Sequence, residues 1–222
     1  MGLATFKGGV HPYEGKELSE NKPTQILMPK GDMVYPMSQH IGAPATPLVK
    51  KGDKVLAGQK IGEASGFISA NVICSVSGTV KAVEPRRVAS GAMVNSVVVE
   101  NDGEYQRVDG MGTDRDPLKL SKQEIRDIVK EAGIVGLGGA GFPTHVKLTP
   151  KDENAIEYVL VNAAECEPYL TSDYRMMLEE PEKLIGGLKV MLQLFEKAKG
   201  VIGIENNKPE AIKKIQEMVK DE

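Results

Sequence analysis

A glycine-rich run in the middle of the chain has residue types that suit the binding of a phosphorylated ligand. It reads GLGGAGFPTHVK over residues 136–147. Glycines let the backbone come close to a ligand and turn its N–H groups inward, where they can donate hydrogen bonds to phosphate oxygens. Pro143 fixes the backbone at the end of the glycines. Lys147 adds a positive charge within reach of a phosphate.

A second polar run, NAAECEP over residues 162–168, follows a stretch that is typical of a buried strand. In open α/β sheets, ligands bind outside the carboxyl ends of the strands, and Asn162, Glu165 and Glu167 fall at such an end. This run offers one amide and two carboxylates, with Cys166 between the carboxylates. Together, the two runs predict a site for a phosphorylated cofactor that carries a polar ring.

Other interpretations of both runs stay open at this point. Gly136, Gly138 and Gly141 satisfy the pattern G-x-G-x-x-G, but the dinucleotide fingerprint needs a preceding strand, and the sequence predicts a helix there. A P-loop is excluded because Phe142 and Pro143 stand where Lys and Ser/Thr are required. The glycine run could instead be a flexible loop or a tight helix crossing, and the acidic run could be a solvated turn.

The residues capable of acid–base or metal chemistry do not form a recognisable set. Paired carboxylates could act as acid and base or bind a metal, but no further cluster of Asp, Glu or His completes a metal shell. The sequence therefore predicts no metal ligand and no catalytic residue. His145 is expected to line the site, while His11 and His40 have no partner that the sequence identifies. Cys74 is expected to be a small core residue on a strand.

The bulk composition excludes several classes of protein. The chain has 222 residues and a formal net charge of -3, with no Lys/Arg stripe, which argues against a nucleic-acid binder. No apolar run reaches the length of about 18 residues that a membrane-spanning helix needs. The N-terminus lacks the apolar core of a signal peptide, and two cysteines make no disulfide framework. We expect a cytosolic or cytosol-facing protein.

The first half of the chain predicts an extended arm followed by a β domain. Residues 1–40 are rich in Pro, Gly and polar residues, and we expect an arm that packs on another surface. Residues 41–110 alternate Val/Ile-rich runs with turn residues, which predicts a compact all-β domain. The polar stretch 104–120 is expected to contain the domain boundary. The predicted strands are Thr46–Val49, Lys54–Leu56, Lys60–Glu63, Val72–Val76, Thr79–Val83 and Ser96–Glu100.

Residues 118–222 predict an α/β domain. Ser121 and Glu124 make a capping box that opens a helix, and Gly133 is its natural stop. A β-α-β-α pattern then follows, which implies a parallel sheet. Because two parallel strands do not make a stable sheet, we expect the sequence to belong to a longer protein or a partner to complete the sheet. The predicted elements are a strand at Ile156–Val161, a helix from Pro181, a strand at Val201–Ile204 and a helix from Pro209.

Two motifs of the β domain resemble the biotinyl/lipoyl barrel-sandwich. They are VKKGDKVLAGQKI at 49–61 and SVSGTV at 75–80. Carrier domains of that family present a modifiable lysine on the hairpin between the two motifs. The hairpin here, residues 63–70, contains no lysine. The resemblance therefore implies the scaffold without the carrier chemistry.

The two polar runs are similar to the two flavin loops of the NADH-oxidising subunit of respiratory complex I, and the spacing between them fits. The whole chain resembles the C subunit of the Rnf complex, the ion-translocating ferredoxin:NAD oxidoreductase of bacterial membranes. This resemblance covers nearly all of the sequence. It implies a barrel-sandwich hybrid domain followed by an incomplete Rossmann-like α/β domain that binds flavin and NADH. Further motifs that carry it are FKGGVHP at 6–12, QHIGAP at 39–44 and IENNKP at 204–209.

The resemblance implies two groups of site residues. Phe142 would pack against the adenine of NADH, and Glu167 would contact the dinucleotide. In this family, flavin N5 exchanges a hydride with the nicotinamide and passes electrons singly to iron–sulfur centres. The residues that would hold FMN through backbone, amide, carboxylate or ammonium groups are Gly136, Gly138, Gly139, Lys147, Asn162 and Glu165.

The chain departs from the family pattern at two positions. Ala164 stands where complex I carries an aspartate, and His145 replaces a glycine. The family's cysteine-rich segment for two [4Fe–4S] clusters would lie beyond residue 222, because Cys74 and Cys166 alone cannot hold such a cluster.

The implied partners are the other Rnf subunits, both membrane-embedded and ferredoxin-like, together with NADH and ferredoxin. The implied location is peripheral, on the cytoplasmic side of the membrane. Two alternatives remain: a flavoprotein similar to cobalamin reductase, and a non-catalytic interaction module of an electron-transfer complex.

Overall fold

The structure is a computed structural model that describes residues 12–113, 115–137 and 139–220. The chain divides into two compact units. The first, named here the α/β unit, combines the residues up to Ile26 with those from Ile156 onward. The second, named the β unit, is Leu27–Ala155. Each unit has a hydrophobic core of its own.

The described part of the β unit contains strands that form two antiparallel sheets. Their bounds are β1 (Asp32–Pro36), β2 (Thr46–Pro47), β3 (Lys54–Val55), β4 (Lys60–Glu63), β5 (Val72–Ile73), β6 (Gly78–Arg87) and β7 (Met93–Asn101). One sheet has the order β1-β7-β6-β3, and the other has the order β2-β4-β5. This arrangement confirms the predicted all-β sandwich.

The core of the β unit lies between these sheets. Val97 and Val99 on β7 and Ile61 on β4 are 0% exposed. Burying a side chain of this size stabilises a fold by roughly 1.5–3 kcal/mol. Cys74 is buried in the same cluster, as the sequence predicts.

Strand β1 lies within the stretch for which the sequence predicts an extended arm. It pairs with β7 along its whole length, from Asp32 opposite Glu100 to Pro36 opposite Ser96. The run DMVYP has consecutive apolar residues and a proline, so it lacks the alternation by which a strand is predicted. Pro36 is tolerated because β1 is an edge strand.

Helix α1 (Lys122–Glu131) begins with the predicted capping box, and a short helix, α2 (Thr144–Lys147), follows it in the same unit. Glu124 N donates to Ser121 Oγ at 3.3 Å, and Ser121 N donates to Glu124 Oε2 at 2.8 Å. The Ser121 hydroxyl also donates to Glu124 Oε2 at 2.7 Å, and this bond, followed by the one from Ser121 N, lowers the pKa of the Glu124 carboxyl. Helix α1 therefore starts where its local sequence dictates.

The C-terminal end of α1 packs against the hairpin end of the β unit. Gly133 has a φ of +64°, and a Cβ added there would lie 2.3 Å from Asn71 O. Asn71 Nδ2 also donates to Lys130 O at 3.2 Å. This packing places α1 in the β unit. The domain bounds at 41–110 and 118–222 stay a prediction, because compactness alone does not define a domain.

The α/β unit contains a parallel pair of strands with helices between and after them. The bounds are β8 (Tyr158–Asn162), α3 (Ser172–Glu179), α4 (Pro181–Leu192), β9 (Lys199–Gly203) and α5 (Pro209–Val219). β8 and β9 are parallel, which confirms the predicted β-α-β-α order. The sequence does not predict helix α3. Its N-cap, Thr171, makes no side-chain capping bond, so the usual local start signal is missing.

Several apolar side chains of the two strands stay exposed in the described structure. Tyr158 is 57%, Leu160 67% and Val201 38% exposed. A groove of about 700 Å³ also lies between α4, β9 and α5, with a mainly apolar lining. Since parallel sheets are normally covered on both faces, these features agree with the incomplete α/β sheet predicted from the sequence. No helix among the described residues is long and apolar enough to cross a membrane.

Candidate functional site

The glycine run forms a closed loop in the β unit. Val135 and Pro143 make an antiparallel bridge at its base. Just inside this bridge, Gly136 N donates to Phe142 O at 3.0 Å. Residues 136–142, named here the glycine loop, therefore project from a pinched base. Helix α2 begins directly after the bridge.

The described residues of the glycine loop present backbone to the solvent. Gly136 and Gly139 are exposed, and Leu137 is 96% exposed. Gly139 has a φ of +132°, and a Cβ added there would meet no atom within 4 Å. No described residue accepts a hydrogen bond from the amides of Leu137, Gly139 or Ala140. The loop thus offers N–H donors beside open space, which suits an anionic or polar ligand. Gly138 lies outside the described residues, as does His11.

The backbone of residues 39–41, from the early part of the β unit's sequence, packs directly against the glycine loop. Ile41 N donates to Ala140 O at 3.0 Å. Gly141 has a φ of +63°, and a Cβ added there would lie 2.9 Å from Gln39 O. Only glycine meets both conditions without strain. The motif therefore contains glycines with different tasks, since Gly141 serves close packing while Gly139 faces open space.

His40 links residues 39–41, which contact the glycine loop, to the hairpin at residues 63–70. Its ring is buried, and Nε2 accepts a hydrogen bond from Ala70 N at 3.2 Å. An accepting Nε2 places the ring proton on Nδ1, which lies 3.1 Å from Ile41 O and donates to it. His40 thereby joins the hairpin at residues 63–70 to the segment that contacts the glycine loop.

The remaining predicted residues of this run lie at the end of the loop and just after it. Phe142 is partly buried, and Lys147 is exposed on α2. Burial lowers the pKa of His145, and the charge of Lys130 lowers it further. His145 is therefore uncharged near neutral pH, and the positive charge of the run is that of Lys147.

The second predicted loop lies in the α/β unit, at the carboxyl ends of the parallel strands. Asn162 is the last residue of β8 and is exposed, and its Oδ1 accepts from Ala164 N at 3.2 Å. Ala163 N continues the pairing by donating to Gly203 O at 2.9 Å. Residues 162–170, named here the acidic loop, thus leave the sheet at the edge where ligands of α/β proteins bind.

Glu165 is buried, and its carboxylate caps helix α3. Oε1 accepts from Asp173 N at 2.8 Å and from Ser172 Oγ at 3.4 Å, while Oε2 accepts from Tyr174 N at 3.2 Å. A carboxylate at a helix N-terminus also interacts favourably with the helix dipole. Burial, and then the charge of Glu165, raises the pKa of Asp173. Glu165 therefore has a structural task, and its predicted contact with FMN stays a prediction.

The two units hold different parts of the predicted set. Gly136, Gly139, Phe142 and Lys147 lie together in the β unit. Asn162, Glu165 and Glu167 lie together in the α/β unit, where Cys166 and Glu167 are exposed. Among the described residues, no group of His, Cys, Asp and Glu is arranged to hold a metal ion.

Sequence reasoning misses two residues behind these loops, His40 and Lys16. Both are buried polar residues that come from the stretch predicted to be an arm. Their partners lie far away in the sequence, so no periodicity or local motif indicates them. The motif QHIGAP at 39–44 supports the family resemblance but gives no role to its histidine.

Two family models match this chain, one after the other. Residues 4–104 match the RnfC barrel sandwich hybrid domain. Residues 129–222 match the Nuo51 FMN-binding domain. Each match covers less than half of the chain. The two matches confirm the resemblance stated from the sequence, the barrel-sandwich hybrid fold and the presence of an FMN-binding type of domain.

Curated relatives extend the RnfC match to nearly the whole chain. The C subunit of the proton-translocating ferredoxin:NAD(+) oxidoreductase complex of Clostridium ljungdahlii is 43% identical over 210 residues, which are 95% of this chain and 46% of that protein. The C subunit of the Na(+)-translocating complex of Acetobacterium woodii is 48% identical over 212 residues, or 94% and 47%. The C subunit of the ion-translocating oxidoreductase complex of Vibrio cholerae is 35% identical over 221 residues, or 99% and 28%. The chain spans about half the length of the first two relatives.

The described residues of the glycine loop fit FMN, the cofactor of the type of domain that residues 129–222 match. The glycine loop has exposed amides and open space where side chains would otherwise stand. Within the β unit, Lys147 also supplies an exposed positive charge after the loop. These backbone amides and this ammonium group suit the phosphate of a flavin mononucleotide.

Proposed function

We propose that this chain binds FMN and NAD(H) and serves as the nicotinamide-facing part of an ion-translocating ferredoxin:NAD oxidoreductase. The observation that carries the proposal is the exposed amides of the glycine loop within a chain that matches an FMN-binding domain. The names of the relatives supply the reaction: electron transfer between NADH and ferredoxin, coupled to ion movement.

In this proposal, each loop of the site has a distinct part. The backbone of Gly136, Gly138 and Gly139 holds FMN, with the amide of Gly139 as a donor and Gly136 as a point of close approach, and Lys147 neutralises the phosphate. Asn162 and Glu165 bind the phosphate-ribityl chain or the ring edge. FMN, when bound, supplies hydride exchange with the nicotinamide and single-electron transfer to iron–sulfur centres.

The contacts proposed for NAD(H) orient the nicotinamide for this exchange. Phe142 stacks on the adenine, and Glu167 accepts hydrogen bonds from the dinucleotide. Both side chains retain exposed surface in the structure. Orientation of the two rings is the protein's main contribution, because the redox chemistry belongs to the cofactors.

The same proposal covers the wider assembly. The partners are the other subunits of the complex, membrane-embedded and ferredoxin-like, with ferredoxin as the electron partner. Two [4Fe–4S] clusters would be held by a cysteine-rich segment that follows this region in the family. The location is peripheral, on the cytoplasmic side of the bacterial membrane.

FMN binding is tested by titrating the chain with FMN and following flavin fluorescence. We expect saturable binding, and we expect Lys147→Met and Asn162→Ala each to weaken it by about tenfold, which is about 1.4 kcal/mol. Lys151→Met, a change of an exposed lysine outside the loop, is the matched control. If the wild-type chain binds no FMN, the proposal fails for this chain and a non-catalytic interaction module becomes the better interpretation.

The NADH contacts are tested in the full-length subunit reconstituted with FMN. NADH should bleach the flavin absorbance, and the double variant Phe142→Ala, Glu167→Ala should slow bleaching by about tenfold or more at low NADH. Bleaching at the wild-type rate in the double variant would remove these residues from the NADH site.

A further inference from the structure

A buried lysine lies beneath the acidic loop of the α/β unit. Lys16, in a 3₁₀ turn at Lys16–Leu18, is only 6% exposed. Its Nζ donates to Glu165 O at 2.7 Å, to Leu170 O at 2.9 Å and to Glu167 O at 3.2 Å. A lysine ammonium has three donors and no acceptor. All of its donors are thus used by carbonyls of a single loop.

The backbone beside Lys16 is fastened to the same loop. Tyr169 N donates to Glu14 O at 2.6 Å. Gly15 has a φ of +62°, and a Cβ added there would lie 2.3 Å from the ring of Tyr169. Tyr169 itself has a φ of +66°, which is uncommon for a residue with a side chain. These contacts hold Tyr169 in a left-handed backbone conformation, which a residue with a side chain rarely adopts.

Further contacts continue this fastening along helix α3. Ser19 Oγ lies 2.9 Å from Thr171 Oγ1, and Arg175 Nη1 donates to Glu20 O at 3.0 Å. The segment from Glu14 to Glu20 therefore follows the acidic loop and the start of α3 side by side. Lys16 is the residue of this segment whose side chain is buried against the acidic loop.

A buried lysine whose partners are all carbonyl oxygens is uncommon in folded proteins. Lysines are rarely buried, because desolvation of the ammonium is costly unless hydrogen bonds replace the lost water. Here the replacement partners all belong to the loop, so the ammonium and the loop conformation depend on each other. Without the ammonium, the buried carbonyl of Glu165 would lack a donor.

We propose that Lys16 is a positioning residue that sets the conformation of the acidic loop and so the directions of Asn162 and Glu167. The inference deepens the proposed function and rests on it, because this loop is the one assigned to FMN and NADH. Lys16 acts from behind the loop through its carbonyls, and the ligand is contacted by the loop itself.

The test is hydrogen–deuterium exchange of the full chain, read by mass spectrometry without any ligand. In Lys16→Met, we expect the amides of residues 165–174 to exchange at least about tenfold faster, while those of α5 keep the wild-type rate. Lys16→Arg retains charge and donors, so it should restore much of the protection. Lys22→Met is the matched control, because Lys22 is exposed and follows this segment directly in the sequence.

Unchanged exchange of the acidic loop in Lys16→Met would overturn the proposal. Equal acceleration in the loop and in α5, for both the Met and the Arg variant, would also overturn it, since Lys16 would then stabilise the unit without positioning the loop. FMN titration of the same proteins should show weaker binding in Lys16→Met and partial recovery in Lys16→Arg. If the wild-type chain binds no FMN, the proposed function fails, while the exchange pattern still decides the role of Lys16.

Discussion

The glycine loop and the acidic loop differ in what fixes their conformation. Backbone hydrogen bonds at its base and close packing under Gly141 hold the glycine loop. Buried charged side chains hold the acidic loop, because the Lys16 ammonium binds its carbonyls and the Glu165 carboxylate caps the helix that follows. One loop therefore depends on the absence of side chains, and the other depends on particular ones.

This difference explains which loop can be recognised from sequence. A backbone requirement at Gly141 leaves a glycine in a short motif, where it is easily seen. A side-chain requirement at Lys16 leaves an ordinary lysine, 149 positions from the carbonyl of Glu165 that it binds. The two loops should also respond differently to substitution, and the effects on stability should run from large at Glu165 in the acidic loop to small at Gly136 in the glycine loop.

Glu165→Ala should cause the largest loss of stability. The change leaves the amides of Asp173 and Tyr174 without their acceptor at the start of α3, which should lower the free energy of unfolding by about 1–3 kcal/mol. Calorimetric or chemical unfolding of the chain measures this loss. Glu167→Gln, on the exposed neighbour, is the control and should change the free energy by less than about 0.5 kcal/mol. Equal stabilities of the two variants would contradict the capping role of Glu165.

Helices α1 and α3 differ in whether their N-terminal caps can be predicted from the local sequence. Ser121 and Glu124 cap α1 from three positions apart, so the capping box can be predicted. The cap of α3 comes from Glu165, eight positions before Asp173, across a loop whose course depends on Lys16. No local pattern contains that information, so the sequence gives no sign of α3.

For the strands and the site residues too, features that depend on neighbouring residues can be predicted, and those that depend on distant residues cannot. The parallel pair is predictable because its strands are rich in branched apolar residues, whereas the run of β1 lacks alternation and resembles the arm around it. The position of Asn162 at a strand end is confirmed, since a strand followed by a polar residue is a local signal. The support that His40 gives to the glycine loop cannot be predicted locally, because its partner Ala70 lies 30 positions away in the sequence.

Gly141→Ala should destabilise the β unit by a smaller amount, about 1–2 kcal/mol, which is the cost of a left-handed backbone for a residue with a Cβ. The added Cβ would also press on Gln39 O. The shift of the thermal midpoint measures the effect. Gly91→Ala is a useful control, since Gly91 also has a positive φ, of +84°, but has nothing within 4 Å of the added Cβ. If both variants lose the same stability, packing under the glycine loop contributes nothing beyond backbone strain.

Lowering the pH should reduce the stability of the β unit through protonation of His145. The effect should be smaller than that of Glu165→Ala or Gly141→Ala, because the His145 side chain is only partly buried. Burial holds the pKa of His145 below its ordinary value of 6.5. As the pH falls through 6.5 toward this lowered value, the unfolded chain takes up a proton more readily than the folded chain. Stability should therefore decrease with decreasing pH in this window. His145→Gln should flatten that part of the profile of midpoint against pH, and an unaltered profile would show that His145 is not its source.

Gly136→Ala should leave stability nearly unchanged and still disturb the site. A Cβ at Gly136 would lie 3.8 Å from Phe142 N, an ordinary contact, so we expect a change of less than about 0.5 kcal/mol in the free energy of unfolding. In the proposed site, the methyl group would nevertheless stand where the backbone approaches FMN, which should weaken binding by about tenfold. Calorimetry and FMN titration of one variant therefore separate folding from binding. Unchanged FMN affinity would mean that the ligand does not approach the backbone at Gly136, and the contrast between the two loops would then concern folding alone.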